Sequence, residues 1–244
     1  MRVLIVGATS AIAQETAKLL AAQGHSIFLI GRNLERLGAV AADLRVRGAG
    51  ATGMANLDVL EFHKHRQVLD EGIAFLGGLD VILIAHGVLP DQKACEESFD
   101  YARATIDTNF VSIVSILTPV AQLFERQKSG TIAVISSVAG DRGRQSNYVY
   151  GATKGALNVF LEGLRNRLAA VNVTVITVKP GFVDSPMTAG VKRNFLFVPP
   201  ATVAKRIVRA IEKGKDTVYV PWYWFWIMTL IKLIPEPIFK RMRL

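Results

Sequence analysis

The 244-residue sequence predicts an α/β protein: a single doubly wound parallel sheet of about seven strands, with helices on both faces. Three observations predict it. Short runs rich in Val, Ile and Leu alternate with longer helical patterns along the chain. The short runs are almost continuously apolar, as strands covered on both faces must be. The first of them, Val3-Leu4-Ile5-Val6, leads directly into the turn Gly7-Ala8-Thr9-Ser10 and then into a helical pattern.

In order, the strands are expected over 2–6, 26–30, 51–56, 79–85, 131–136, 172–178 and 217–220. The helices between them are expected over 10–23, 34–47, 60–75, 96–127, 147–170 and 200–213. Such alternation implies right-handed crossovers and the Rossmann-type arrangement. No internal repeat or low-complexity linker interrupts it. Residues 1–220 are therefore read as one dinucleotide-binding and catalytic domain, and 221–244 as its apolar and basic C-terminal extension.

Composition narrows the function classes. Half of the residues are hydrophobic and 20% are charged, which supplies a core and excludes a disordered chain. The single cysteine, Cys95, excludes an intramolecular disulfide and fits a reducing compartment. No signal-peptide pattern opens the sequence, so a cytoplasmic site is expected. The net charge is +9, but the Lys and Arg residues are dispersed, so nucleic acid is not the expected partner. Acidic small molecules and anionic membrane surfaces account for the same sign.

The tail departs from the pattern. After Pro221, all three tryptophans fall within Trp222-Tyr223-Trp224-Phe225-Trp226, and the apolar run continues to Ile234. It is shorter than the ~20 residues that span a bilayer. Lys240, Arg241 and Arg243 follow it. Two roles fit residues 222–234: a subunit interface, or a helix lying in a membrane interface, towards which the tryptophans and the basic end tip the balance.

The candidate chemistry begins at the first turn. A turn between strand and helix brings a dinucleotide pyrophosphate onto free N–H groups, here around Gly7, Thr9, Ser10, Ala11 and Ile12. Only Gly7 survives of three fingerprint glycines, with alanine at 11 and 13, so an ordinary turn capped by Ser10 fits as well. Arg32 follows the second strand with no acidic neighbour, which favours a ribose 2′-phosphate and hence NADPH over NADH. A merely solvated arginine is the plainer reading. Asp58, after the third strand, suits the adenine amino group. Tyr150 and Lys154 stand four apart on a helix and so share one face. The lysine cation is expected to lower the phenol's pKa and make it a proton-transfer group. Ser137, ending the fifth strand, suits the substrate oxygen.

These residues resemble the short-chain dehydrogenase/reductase family over almost the whole chain. In that family a serine lies thirteen positions before the tyrosine, as Ser137 does before Tyr150, and Tyr-x-x-x-Lys matches Tyr150 and Lys154. Tyr148 is excluded because position 152 is alanine. The resemblance implies that Asn109 maintains a water-linked proton relay to the lysine. It implies cofactor contacts at Asp58 and Val59, at Ala85, His86 and Gly87, and at Pro180, Gly181, Val183 and Ser185. Ile84-Ala85-His86-Gly87 departs from the usual Asn-Asn-Ala-Gly, and His86 is read as packing on the cofactor or as a supporting acid–base group. The resemblance also implies a homo-oligomer. No metal-ligand set is visible; His63 and His65 face apart.

A second, less specific resemblance rests on Val138-Ala139-Gly140-Asp141-Arg142-Gly143-Arg144 and on Ile234-Pro235-Glu236-Pro237-Ile238-Phe239-Lys240. It is to actinobacterial reductases of a decaprenyl-phosphate-linked keto-pentose, and it implies a lipid-linked keto sugar or a related lipidic carbonyl. Arg142 and Arg144 then suit a phosphate. Lys192 and Arg193, with Phe195, Leu196 and Phe197, suit a cationic and apolar lid. The expected activity is reduction of a carbonyl, or the reverse. A lipid or steroid ketone reductase is the alternative enzyme. A catalytically silent nucleotide-binding regulator is the alternative of another class, which the retained Ser137, Tyr150, Lys154 and Asn109 disfavour.

Overall fold

The computed structural model describes residues 1–242; Arg243 and Leu244, the end of the predicted basic tail, lie outside the described residues. Seven strands form one parallel sheet: β1 (Arg2–Val6), β2 (Ser26–Gly31), β3 (Thr52–Asn56), β4 (Val81–Ile84), β5 (Gly130–Ile135), β6 (Val173–Pro180) and β7 (Thr217–Val220). Their order is β3-β2-β1-β4-β5-β6-β7, all neighbours parallel. The chain winds outward from β1 to β3, crosses back, and winds outward again from β4. The reversal leaves a crevice at the C-terminal ends of β1 and β4, where open α/β sheets bind ligands.

Successive side chains on each strand face opposite sides, so each strand feeds two cores. Leu4, Phe28, Ile82, Ile132 and Val175 pack against α3 (His65–Leu76), α6 (Ser112–Gln127) and α7 (Tyr148–Ala169). Val3, Ile5, Leu29, Leu83 and Ile176 pack against α1 (Ala11–Ala22), α2 (Leu34–Val46) and α8 (Pro200–Lys213). The run Phe99–Gln127 is long and apolar enough by composition to cross a membrane. Its apolar residues Ile113, Ile116, Leu117, Val120 and Phe124 are buried in the first core instead.

The single helix expected over 96–127 is broken. A short α4 (Gln92–Glu97), capped by the Asp91 carboxylate, and α5 (Phe99–Ile106), capped by Ser98, precede α6. Between α5 and α6 the chain makes one π-helical turn, Asp107–Val111, of the kind often found at functional sites. That turn carries the fully buried Asn109. Helix α3 starts at His65 rather than 60, because the Asp58 carboxylate accepts from the Leu60 N–H and closes a turn first. Strand β6 continues to Pro180 because Lys179 and Pro180 still pair with Tyr219 and Val220. The tail folds into α9 (Trp224–Leu233) and α10 (Glu236–Phe239). Trp224 and Met228 of α9 are buried with Val138 in a third apolar cluster.

Candidate active site

The nucleotide side of the crevice starts at Gly7. Its φ is +78°, and a Cβ there would stand 2.5 Å from the His86 amide nitrogen, so conformation and space both require glycine. Ser10 caps α1 by accepting from the Ala13 N–H at 3.2 Å, and the Gln14 amide donates to the Thr9 carbonyl at 2.9 Å. The N–H groups of Ala11 and Ile12, in the first turn of α1, have no intrahelical acceptor, which suits an anionic group. Ala13 is fully buried against the sheet, so alanine serves there as close-packed material. Arg32, past the end of β2, is exposed and makes no ion pair among the described residues. Asn56 donates to its carbonyl at 2.7 Å. Asp58 lies two residues past the end of β3, with Val59 packed on the first core. Ala85 donates to Val6 at 2.8 Å, which ties β4 to β1 at the crevice floor.

Three of the four expected catalytic residues meet at the end of β5. Ser137 caps a short helical turn, its hydroxyl accepting from Ala139 N–H at 3.1 Å, and is near enough to the Tyr150 phenol to favour its ionised form. Lys154, 4% exposed, donates from Nζ to the Ile135 carbonyl at 3.0 Å. Its Nζ stands 5.8 Å from the centre of the Tyr150 ring. Burial pushes the Tyr150 phenol up to about 12, opposed only by the Ser137 hydroxyl. The same burial brings Lys154 down to about 8. The expectation that the lysine lowers the phenol is thus corrected. Desolvation disfavours the charged form of both groups, so they move apart.

Asn109 joins this cluster through the backbone. Its Oδ1 accepts from Val88 N–H and its Nδ2 donates to Val88 carbonyl, both at 2.8 Å. A Cβ on Gly87 would stand 3.1 Å from Asn109 Oδ1 and 3.7 Å from Lys154 Nζ, so the glycine lets the loop pass between them. His86 Nε2 meets the Ser112 hydroxyl at 2.9 Å, and Ser112 donates its own proton to Thr108 at 2.7 Å. The imidazole is therefore the Nε2–H tautomer. Burial, with Lys154 and His65 adding, lowers its pKa to about 3. His86 therefore stays neutral across the physiological range. Its Nδ1 is buried without a partner among the described residues.

Beyond the catalytic cluster the expected roles change. Arg142 donates to the carbonyls of Ile231, Lys232 and Ile234, pairs with Glu236 at 3.1 Å and stacks 3.6 Å over the Phe239 ring. It holds the C-terminal end of α9, so the phosphate role expected for it is corrected. Arg144 is half-buried; its Nε finds no acceptor among the described residues, and burial lowers its pKa. Arg193 pairs with Asp184, and Lys192 is exposed. Of the apolar lid residues, Phe197 stacks on Phe182 at 5.2 Å and Leu196 packs into the third cluster, while Phe195 is 92% exposed. Val183 is buried and bridges to Val198, and Ser185 begins the short turn Pro186–Thr188. Pro180 ends β6, and Trp224 packs so closely on Gly181 that no Cβ fits there.

Sequence reasoning missed a buried ion pair behind Ser137. Lys179 Nζ and Asp141 Oδ1 lie 2.7 Å apart, with side chains 9% and 3% exposed. Tyr219 donates to the other Asp141 oxygen at 2.7 Å, and Ser136 donates to Asn158 at 2.6 Å alongside. The readable signal was Lys179, the one charged residue of the strand Val173–Pro180.

A switch-point crevice with a Tyr/Lys/Ser cluster at its floor defines an oxidoreductase that works with a nicotinamide dinucleotide. The family model for the short chain dehydrogenases matches residues 1–195, and the chain belongs to that family. An uncharacterized oxidoreductase of Mycobacterium tuberculosis is 35% identical over 240 residues, covering 98% of this chain and 96% of that relative. An uncharacterized oxidoreductase of Streptomyces coelicolor is 32% identical over 240 residues, covering 98% and 94%. These names carry no substrate, so nothing in them bears on the lipid-linked keto sugar. The crystal structure of an actinorhodin polyketide ketoreductase variant with NADPH superposes with a TM-score of 0.82 at 22% identity, covering 91% of this chain and 97% of that one. That likeness concerns the fold.

Proposed function

We propose that this chain is an NADPH-dependent reductase of a lipidic or lipid-linked carbonyl, with Tyr150 as the acid. One observation carries the reading: Tyr150, Ser137 and the buried Lys154 converge at the end of β5. The cofactor, when bound, supplies the hydride. With a pKa about 12, the phenol holds its proton at neutral pH and is ready to donate it to a developing alkoxide. Ser137 holds the same oxygen. Lys154 adds positive charge beneath the site, and Asn109 fixes the loop through Val88 and so supports the proton relay. Gly7, the free first-turn amides of α1 and the unpaired Arg32 suit a pyrophosphate and a 2′-phosphate, which favours NADPH over NADH. Arg144, half-buried, and Lys192, exposed, both without an acidic partner among the described residues, are the cations left for a substrate phosphate. Residues 1–220 act as one domain with 221–244 as its extension. The same reading places a homo-oligomer in the cytoplasm, touching the membrane through residues 222–234, and the buried, unpaired Cys95 suits a reducing compartment.

The test is oxidation of NADPH and NADH with ketones carrying or lacking a prenyl-phosphate tail. Tyr150→Phe is expected to cut turnover by ~10²–10⁴ with NADPH binding unchanged. Arg32→Ala is expected to weaken NADPH more than NADH. Near-normal turnover in the first variant, or a wild-type preference for NADH, overturns the corresponding assignment.

A further inference from the structure

A groove of about 570 Å³ runs between α8 and α9 along the edge strand β7. One wall is basic. Helix α8 buries Val203, Ile207 and Ile211, and at helical spacing turns Arg206, Arg209 and Lys213 to the outside; Lys215 follows just past its end. None of these four cations makes an ion pair among the described residues, although Arg47, Arg66 and Arg167 elsewhere on the surface each do. The other wall is aromatic, formed by Trp222, Phe225 and Trp226. Along the same helix Leu230 and Leu233 stand 67% and 73% exposed, while Trp224 and Met228 face inward. Helix α9 is thus apolar on its covered face and on its uncovered one.

Four unpaired cations in one groove call for an anion. A free phosphate satisfies the charge and leaves the exposed leucines and tryptophans unexplained. A second copy related by a two-fold axis can set the basic wall on the partner's aromatic wall, but it gathers both sets of cations in one interface, and no carboxylate lines the groove to answer them. An anionic bilayer answers both features: phosphates for the cations, aromatic rings at headgroup level, and leucines reaching the acyl boundary. We propose that the groove seats phospholipid phosphate groups, with α9 lying in the interface. The proposal rests on the reading of residues 222–234 as a membrane contact and adds to it the ligand and the cations of α8.

The experiment is flotation of the full-length protein with phosphatidylcholine vesicles, alone or containing phosphatidylglycerol. Preferential binding to the anionic vesicles is expected, with release at high salt. Reversing three cations together (Arg206→Glu, Arg209→Glu, Lys213→Glu) is expected to weaken that binding by at least about tenfold, given their contribution near a charged surface. Melting temperature and turnover of a water-soluble ketone should stay at the wild-type level in that variant. Leu230→Ser with Leu233→Ser should weaken binding to anionic vesicles without changing the salt dependence of what remains. If the full-length protein binds neither vesicle, the membrane reading falls and the proposal with it. If it binds both vesicles equally, or the charge reversal changes nothing, the membrane reading stands and the headgroup site is overturned. If the reversal leaves vesicle binding intact and instead dissolves a stable oligomer, the face joins copies of this chain and the proposal is likewise overturned.

Discussion

Burial moves Tyr150 and Lys154 in opposite directions, and the consequences for pH behaviour follow from the signs. In the unfolded chain a lysine keeps its proton to pH ~10.4. Folded, Lys154 releases it at about 8. Between those values the unfolded state binds more protons, so stability rises with pH across that window, and the penalty is fully present below 8. At one pKa unit per ~1.4 kcal/mol, the penalty is on the order of 3 kcal/mol. Lys154→Met is therefore expected to raise the melting temperature at pH 7 and to abolish turnover, with the thermal gain vanishing towards pH 10.5. Melting curves from neutral to alkaline pH check it; no gain at neutral pH contradicts the burial argument. In the wild type, reduction is expected to slow as pH passes about 8, where the lysine charge is lost while the phenol is still protonated. His86, lowered to about 3, contributes no limb to that profile near neutrality.

At the scale of elements, the tail is latched to the loop after β5 by one side chain. The last carbonyls of a helix lack intrahelical donors, and Arg142 supplies them for α9 from a position five residues past Ser137. Arg142→Ala removes those bonds, the Glu236 pair and the Phe239 stack together. A loss of about 1–3 kcal/mol is expected, with faster proteolysis after residue 230 than in the wild type. An unchanged cleavage pattern would show that α9 is held by its apolar face alone. The π-helical turn at Asp107–Val111 works in a related way, aiming one buried amide at both polar groups of Val88.

Across the whole molecule, the Asp141–Lys179 pair fastens the loop after β5 to the neighbouring strands β6 and β7. Lys179 comes from β6, Tyr219 from β7 and Asp141 from the loop after Ser137. Removing one partner leaves a buried charge uncompensated, so Asp141→Asn is expected to cost about 3–5 kcal/mol in denaturant unfolding. Adding Lys179→Met should return much of that loss, because it removes the stranded ammonium. If the double variant is no more stable than Asp141→Asn, the aspartate acts through Tyr219 or the loop rather than through the lysine.

Strand and helix placement, the Tyr150–Lys154 face and the Gly7 turn were legible in the sequence because each depends on local quantities. A period of two or 3.6, an i,i+4 spacing and one positive φ need no knowledge of distant partners. The tertiary structure alone decided that Arg142 binds helix carbonyls, that His86 is neutral, that Asn109 sits on a π-helical turn, and that Lys179 has an aspartate beside it. Each of those outcomes is set by desolvation and by which groups arrive from elsewhere in the chain. The tail shows both sides: its apolar character was plain in Trp222–Ile234 as letters, but that Trp224 faces Gly181 while Trp226 faces outward was decided by packing.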